Sequence, residues 1–167
     1  VPLAVANDGH VTALAGYMSL GTGPVMGIAM GTSQAAGYVD AQGRVSGWLN
    51  ELAFAPVDLA EAAPSDPWSG DTGVGGQYFS QDAVIRLAAA AGVPTDAALT
   101  PAQQLRQVQK LARQGHPAAR RIFRETGVCL AHTLALYAEI YPLRHVMVLG
   151  RVASGIGGEW MTETCRR

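Results

Sequence analysis

Cysteine is scarce: Cys129 and Cys165 are the only two in 167 residues. A disulfide framework is therefore excluded as the basis of the fold. Two free thiols in a reducing cytoplasm are the expectation. Neither a CxxC nor an HExxH pattern occurs, and His10, His116, His132 and His145 are scattered along the chain, so no metal site is expected. Charge is sparse, at 15% of residues, and nearly balanced, with a net charge of −1. No basic patch is dense enough for nucleic acid, and the one cluster, "ARRIFR" at 119–124, reads as the solvated face of a helix. Apolar runs of the ~18 residues that a membrane helix needs are missing. Gly16, Gly21, Gly23 and Pro24 break the stretch from Val11 to Met30. Methionine is missing from position 1; the chain opens at Val1 inside an apparent strand, and a fragment or a processed product is expected.

What is present is enough apolar material for a packed core, 49% of residues, in a chain that suits one domain. Residues 2–6 read as the end of a strand, and 9–19 as a helix, because Val11, Leu14, Ala15 and Met18 recur at helical spacing. "VMGIAMG" (25–31), "QAAGYVD" (34–40) and "RVSGWLN" (44–50) read as three strands in a meander. Residues 59–77, rich in Asp, Pro, Ser and Gly, read as a long loop with little regular structure. Ser80 is placed to cap a helix running to about Ala91, and "TPAQ" (100–103) is a capping box. His116-Pro117 opens a longer helix, to about Tyr141, with Ile122, Phe123, Leu130, Leu134, Tyr137 and Ile140 among its apolar positions. "RHVMVLG" (144–150) is a β-branched apolar strand, and "RVASGIGGEW" a glycine-containing loop entering a helix. The order is that of an α/β layer arrangement.

Four short stretches carry possible chemistry. In "VANDGHVTAL" (5–14), Asn7 and Asp8 sit where strand hands over to helix. A carboxylate there is either an ordinary cap or a general base projecting from a strand end into a cleft. "MGTSQAAG" (30–37) combines a tight turn at Gly31 with the hydroxyls and N–H groups of Thr32 and Ser33; it is either a hairpin turn or a phosphate cradle. In "GWLNELAF" (47–54), Asn50 and Glu51 interrupt an apolar run, so they are either exposed or face a polar ligand such as a sugar. "VMVLGRVASG" (146–155) is a strand, a glycine and a small polar loop before a helix, a turn against which nucleotides often settle.

Taken in order, "AND" (6–8), "GTSQAAG" (31–37), "NELAF" (50–54) and "VLG" (148–150) resemble the C-terminal part of the ROK family of repressors, open reading frames and sugar kinases. That family belongs to the sugar kinase/heat-shock ATPase/actin superfamily. The resemblance implies an α/β, ribonuclease H-like (actin-like ATPase) lobe, in which a three-stranded meander and further strands pack with helices. It makes residues 1–20 the end of an N-terminal lobe strand and the connecting helix, and 21–167 the nucleotide-facing lobe. The N-terminal lobe, with its first phosphate loop, is missing. The implied activity is ATP-dependent phosphorylation of a sugar hydroxyl, of the hexokinase or glucokinase type, with this chain inactive alone. The alternative is a non-catalytic sugar-sensing or dimerisation lobe, as in the repressor branch.

By the same resemblance Asp8 is the general base, and Asn7, Asn50 and Glu51 hold sugar hydroxyls. Gly31, Thr32 and Ser33 lie near the transferred phosphoryl, Gly150 and Ser154 near the nucleotide, and Mg²⁺ bridges its phosphates. A sugar and a nucleotide are the expected partners, without membrane or direct nucleic-acid contact by this segment, in the cytoplasm; the resemblance also allows a homodimer. The sequence departs from the family pattern at four places. Phe54 replaces a histidine, Val74 a cysteine, Gly76 a sugar-binding glutamate, and Arg151 the second glycine of the adenosine motif. No zinc is expected, and the sugar site should differ from the common one.

Overall fold

A computed structural model describes residues 6–48 and 50–167. The expected strand at 2–6 therefore lies almost wholly outside the described residues. Helix α1 spans Asp8–Leu20 and ends in a left-handed glycine, Gly21, whose N–H returns to the Tyr17 carbonyl. Strands β1 (Val25–Met30) and β2 (Gln34–Val39) form a tight antiparallel hairpin with Met30 opposite Gln34. After the loop region come α2 (Gln81–Ala90), α3 (Pro101–Arg113) and α4 (Pro117–Ala138). Strand β3 (His145–Leu149) then pairs parallel with β1, and α5 (Gly155–Cys165) follows. Among the described residues no helix is long and apolar enough to cross a membrane.

The sheet has the order β2-β1-β3, so it is mixed. The expected three-strand meander is corrected here. Among the described residues of 44–50 there is no strand; the pairing seen there is a single bridge, Val39 to Val45. The reason is local and polar. The Asp40 carboxylate accepts from the N–H groups of Gln42 and Arg44, both at 2.9 Å, and closes a turn. The chain then curls on itself: Asn50, with φ of 52°, points its amide back to Ser46 and Trp48. The free side of β1 is taken instead by β3, a strand distant in sequence.

The two faces of the sheet are covered differently. Met26, Ile28 and Met30 share one face of β1 and join Phe79, Val84, Leu105, Phe123, Leu130 and Tyr137 in the main core under α2–α5. Gly27 faces the other way, toward α1. α1 does not bury the apolar positions that mark it as a helix. Its apolar stripe is the outer side, with Val11 54% and Met18 74% exposed, whereas Gly9, Thr12, Ala13 and Gly16 are buried. Small residues win because they let two backbones touch. A Cβ on Gly27 would fall 2.1 Å from the Ala13 nitrogen, and one on Gly9 would fall 2.1 Å from the Ala36 carbonyl carbon. At these crossings no side chain fits between helix and sheet, so main-chain contact sets the approach of α1 there; at Gly16 the helix meets the side chains of Val25 and Met147.

The helix starts match their sequence signals. Ser80 Oγ accepts from Ala83 N at 3.2 Å. Gln103 Oε1 accepts from Thr100 N at 2.9 Å, with Pro101 in the first turn. His116 caps α4 through its ring, accepting from Ala119 N. The long loop has no strands or α-helix but is not featureless. Asp66 accepts from Trp68 N, Ser69 N and Gln77 Nε2, and the Gly73 carbonyl accepts from both Val57 and Asp58. Short 3₁₀ turns at Leu52–Phe54 and Gly75–Gln77 bracket it. Cys129 and Cys165 are free thiols.

Candidate functional site

The sheet topology determines where a ligand can go. β1 and β3 are parallel, so their carboxyl ends lie side by side. α1 runs back along β1, which brings its N-terminus to that same edge. Crevices of this kind, outside the carboxyl ends of parallel strands, are where α/β sheets hold ligands. A cleft of about 400 Å³ opens there, lined by residues of three segments: Asp8 from α1, Ala29 to Ala35 without Met30 from the β1–β2 hairpin, and Gly150 and Arg151 from the loop after β3.

Each segment is held by main-chain geometry. At the start of α1 the cap is Asn7, not Asp8: Asn7 Oδ1 accepts from Gly9 N at 2.7 Å. Asp8 occupies the first helical position with its side chain exposed and no side-chain partner among the described residues. The capping hydrogen bond of α1 thus belongs to Asn7, and the Asp8 carboxylate is left without that duty. In the hairpin, Gly31 N donates to the Ser33 carbonyl at 3.0 Å, and Gln81 N, at the start of α2, donates to the Gly31 carbonyl at 2.9 Å. Thr32 and Ser33 remain exposed at the tip.

The third wall is fixed by Gly150. Its φ is 104°, and a Cβ there would fall 2.3 Å from the Met30 oxygen, so only glycine lets the chain cross the end of β1 so closely. Val152 N donates to that same Met30 oxygen at 3.2 Å. Downstream, the Arg151 carbonyl accepts from Gln109 Nε2 at 2.9 Å and Ser154 Oγ at 2.8 Å.

Five of the nine sequence-derived site residues, Asp8, Gly31, Thr32, Ser33 and Gly150, line this one cleft. Four do not. Asn7 is occupied at the cap. Ser154 bonds backward to Arg151. Glu51 is exposed before the first 3₁₀ turn. Asn50 is 6% exposed and serves as a knot: its Oδ1 accepts from Tyr141 Oη at 3.0 Å, and its Nδ2 lies 3.2 Å from His10 Nε2. Thus Asn50 ties the loop to α1 and to the end of α4. Phe54, at the departure noted in the sequence, pairs with the exposed Trp68 ring at a centroid distance of 5.4 Å.

Two polar lining residues, Gln34 and Arg151, had no role assigned from sequence. Gln34 is 4% exposed and both atoms of its amide lack a hydrogen-bond partner. The Tyr137 hydroxyl is near it, but its hydrogen bond goes to the Leu52 carbonyl, at 3.5 Å. A Cβ on Gly75 would fall 2.4 Å from Gln34 Oε1, so that glycine leaves room for the amide. No local pattern marks Gln34, since its meaning comes from burial. Arg151 was visible only as a departure from the family motif.

Neither a protein-family model nor a curated protein sequence matches the chain. Solved structures do. A ROK family glucokinase from Streptomyces griseus, in complex with glucose and AMPPNP, superposes with a TM-score of 0.76 at 23% identity, over 99% of this chain and 57% of that one. A ROK hexokinase from Thermus thermophilus gives 0.74 at 23% identity, over 99% and 57%. A ROK family transcriptional regulator, a homologue of the E. coli MLC protein, gives 0.75 at 20% identity, over 99% and 43%. The chain thus has the fold of these structures and spans about half their length.

Proposed function

We propose that the chain is the C-terminal, nucleotide-facing lobe of a ROK-like sugar kinase, which transfers a phosphoryl group from ATP to a sugar hydroxyl. On this reading residues 1–20 close the N-terminal lobe and supply the connecting helix, and 21–167 form a lobe of ribonuclease H-like, actin-like ATPase type. The first phosphate loop belongs to the other lobe. The observation that carries the reading is the convergence of Asp8, the Gly31–Ser33 turn and Gly150 on one cleft.

The roles follow from position. Asp8, uncommitted at the cleft wall, accepts the proton of the attacking hydroxyl. The exposed hydroxyls and N–H groups of Thr32 and Ser33 take phosphate oxygens, as in other anion-binding turns. Gly150 keeps the nucleotide side of the cleft open by having no side chain. Asn7 and Asn50 hold the start of α1 and the loop in place behind the cleft, while Glu51 and Ser154, both exposed, are left for the sugar and nucleotide ends. Asp8, Thr32 and Ser33 are the hard oxygen donors that the cleft would offer a Mg²⁺ ion bound with the nucleotide, which would supply charge neutralisation of the transferred phosphoryl. The protein works in the cytoplasm, as a monomer or homodimer, without contacting nucleic acid through this lobe.

The test uses the protein with both lobes. Asp8→Asn is expected to lower kcat by roughly 10²–10⁴-fold with the circular dichroism spectrum unchanged. An unchanged rate returns Asp8 to a surface carboxylate in a first helical turn. The 167-residue chain alone is expected to show little or no kinase activity. Turnover of ATP with a sugar acceptor by this chain alone would refute the two-lobe requirement.

One observation favours a second reading, a sugar-sensing lobe of a ROK-type repressor. Phe54 stands where the resemblance has a histidine, and it stacks with Trp68 instead of offering a hydrogen bond. A two-lobed protein that binds sugar in calorimetry yet never transfers phosphate, with a helix-turn-helix upstream of Val1, would establish it.

A further inference from the structure

Among the described residues that line the cleft two are ionisable, and they are opposite in sign: Asp8 and Arg151. The guanidinium of Arg151 is uncommitted. The ion pairs among the described residues are Arg44–Asp40, Arg121–Glu125 and Arg167–Glu163, and none involves it. Its side chain is exposed, yet its backbone is among the best-held in the site. Gly150 before it is pressed against Met30, Val152 after it is fully buried, and its own carbonyl accepts two hydrogen bonds. A permanent cation on a fixed base, free of protein partners and facing a cleft, is the arrangement that holds an oxyanion. Guanidinium and phosphate match as a bidentate, charge-assisted pair.

The need for it is electrostatic. A polyphosphate entering this cleft meets the Asp8 carboxylate, which repels it. The turn at Gly31–Ser33 offers dipoles but no full charge. We propose that Arg151 grips a phosphate oxyanion of the bound ligand; on the kinase reading above, on which this rests, that oxyanion belongs to the polyphosphate of the nucleotide. The position where the resemblance has a second glycine has become a specificity-determining cation.

Calorimetry on the protein with both lobes at low ionic strength, where charge contacts are least screened, tests this with four probes. AMPPNP and inorganic pyrophosphate carry the polyphosphate, adenosine carries only the base and ribose, and glucose 6-phosphate carries a sugar-borne phosphate. Arg151→Ala is expected to weaken AMPPNP and pyrophosphate by about ten-fold and to flatten their salt dependence. Adenosine and glucose 6-phosphate should be unaffected, and Arg151→Lys should recover part of the loss. Unchanged AMPPNP and pyrophosphate affinities in Arg151→Ala would overturn the proposal while leaving the kinase reading intact. An equal loss for adenosine would make Arg151 a packing residue of the base site, and a loss confined to glucose 6-phosphate would move it to the sugar side; either overturns it. Failure of the wild-type protein to bind AMPPNP or pyrophosphate would overturn both this proposal and the nucleotide role of the lobe.

Discussion

Two regions of this molecule hold their shape by opposite means. α1 and the β1–β2 hairpin meet through Gly9, Gly27 and Gly37, backbone on backbone at those crossings. The stretch from Asp40 to Phe79 crosses a comparable length of chain with almost no regular structure. It is held by carboxylates and amides: Asp40, Asp58, Asp66 and Asn50 each capture groups a few residues away or across the fold. The first device leaves no freedom, because a contact distance cannot be renegotiated. The second tolerates change at most positions and depends on a few. The candidate cleft is built on the first kind. Asp8 projects from the helix whose position the glycines set, and Thr32 and Ser33 sit on the hairpin that it touches.

The largest expected effect therefore comes from one methyl group. Gly27→Ala puts a carbon 2.1 Å from Ala13 N and 2.7 Å from the Gly9 oxygen, so helix and sheet must separate. A loss of about 3 kcal/mol is expected in urea unfolding. A loss below about 1 kcal/mol would mean that α1 shifts easily and that Asp8 is not rigidly placed. In the other region the strongest single link is the buried hydrogen bond from Tyr141 to Asn50, at 3.0 Å. Tyr141→Phe keeps the ring contacts with Tyr38 and Trp48 but leaves the Asn50 oxygen buried and unpaired. Its expected cost is about 1–2 kcal/mol. A larger cost than that of Gly27→Ala would reverse the ranking of the two devices.

The same contrast explains what could be read in the sequence. Helix starts were legible because a cap is a local event: Ser80, the Thr100–Gln103 box and His116-Pro117 act within one turn. β3 was legible as a strand, but its partner was not. Nothing near Val146 says that it lies beside Met26 in parallel. The third strand of the meander failed because Asp40 and Asn50 spend their polar groups on turns, and propensity cannot weigh that against a ladder. Which face of α1 is buried was not legible for a related reason. Periodicity counts large apolar residues, whereas here the small ones are inside. In the site, Asp8, Gly31, Thr32, Ser33 and Gly150 were found because the resemblance is carried by short motifs. Asn50 took another role because its environment comes from Tyr141 and His10, both distant in sequence.

A smaller effect, distinguished by its pH signature, is expected at the loop latch between Asp58 and Tyr78. The hydrogen bond from the Tyr78 hydroxyl, seconded by the Ala60 N–H, holds the Asp58 carboxyl below the usual carboxylate range. A group with a lowered folded-state pKa adds stability above its unfolded value, and that stability is lost as pH falls through the folded value. Thermal unfolding followed from neutral pH down through the carboxylate range should therefore show a fall in stability that Tyr78→Phe makes shallower. At neutral pH Tyr78→Phe should cost less than Tyr141→Phe, since the latch is only half-buried whereas the Tyr141–Asn50 bond is buried. Equal acid limbs for the two proteins would show that the loop is held by Asp66 and Gly73 without this latch.

The smallest expected effect completes the comparison, because it repeats the first substitution in the other region. Gly47→Ala adds the same methyl group at an exposed position with no heavy atom within 4 Å of the new carbon, and Gly47 is not in the positive-φ region that would strain alanine. Its stability should stay within about 0.5 kcal/mol of the parent, with any gain coming from a less flexible unfolded chain. The chemistry of the two glycine substitutions is identical, so the difference between them measures contact alone. A cost at Gly47 approaching that at Gly27 would mean that the 44–50 segment is packed as tightly as the helix–sheet seam, and that the polar links around Asn50 accompany its shape instead of fixing it.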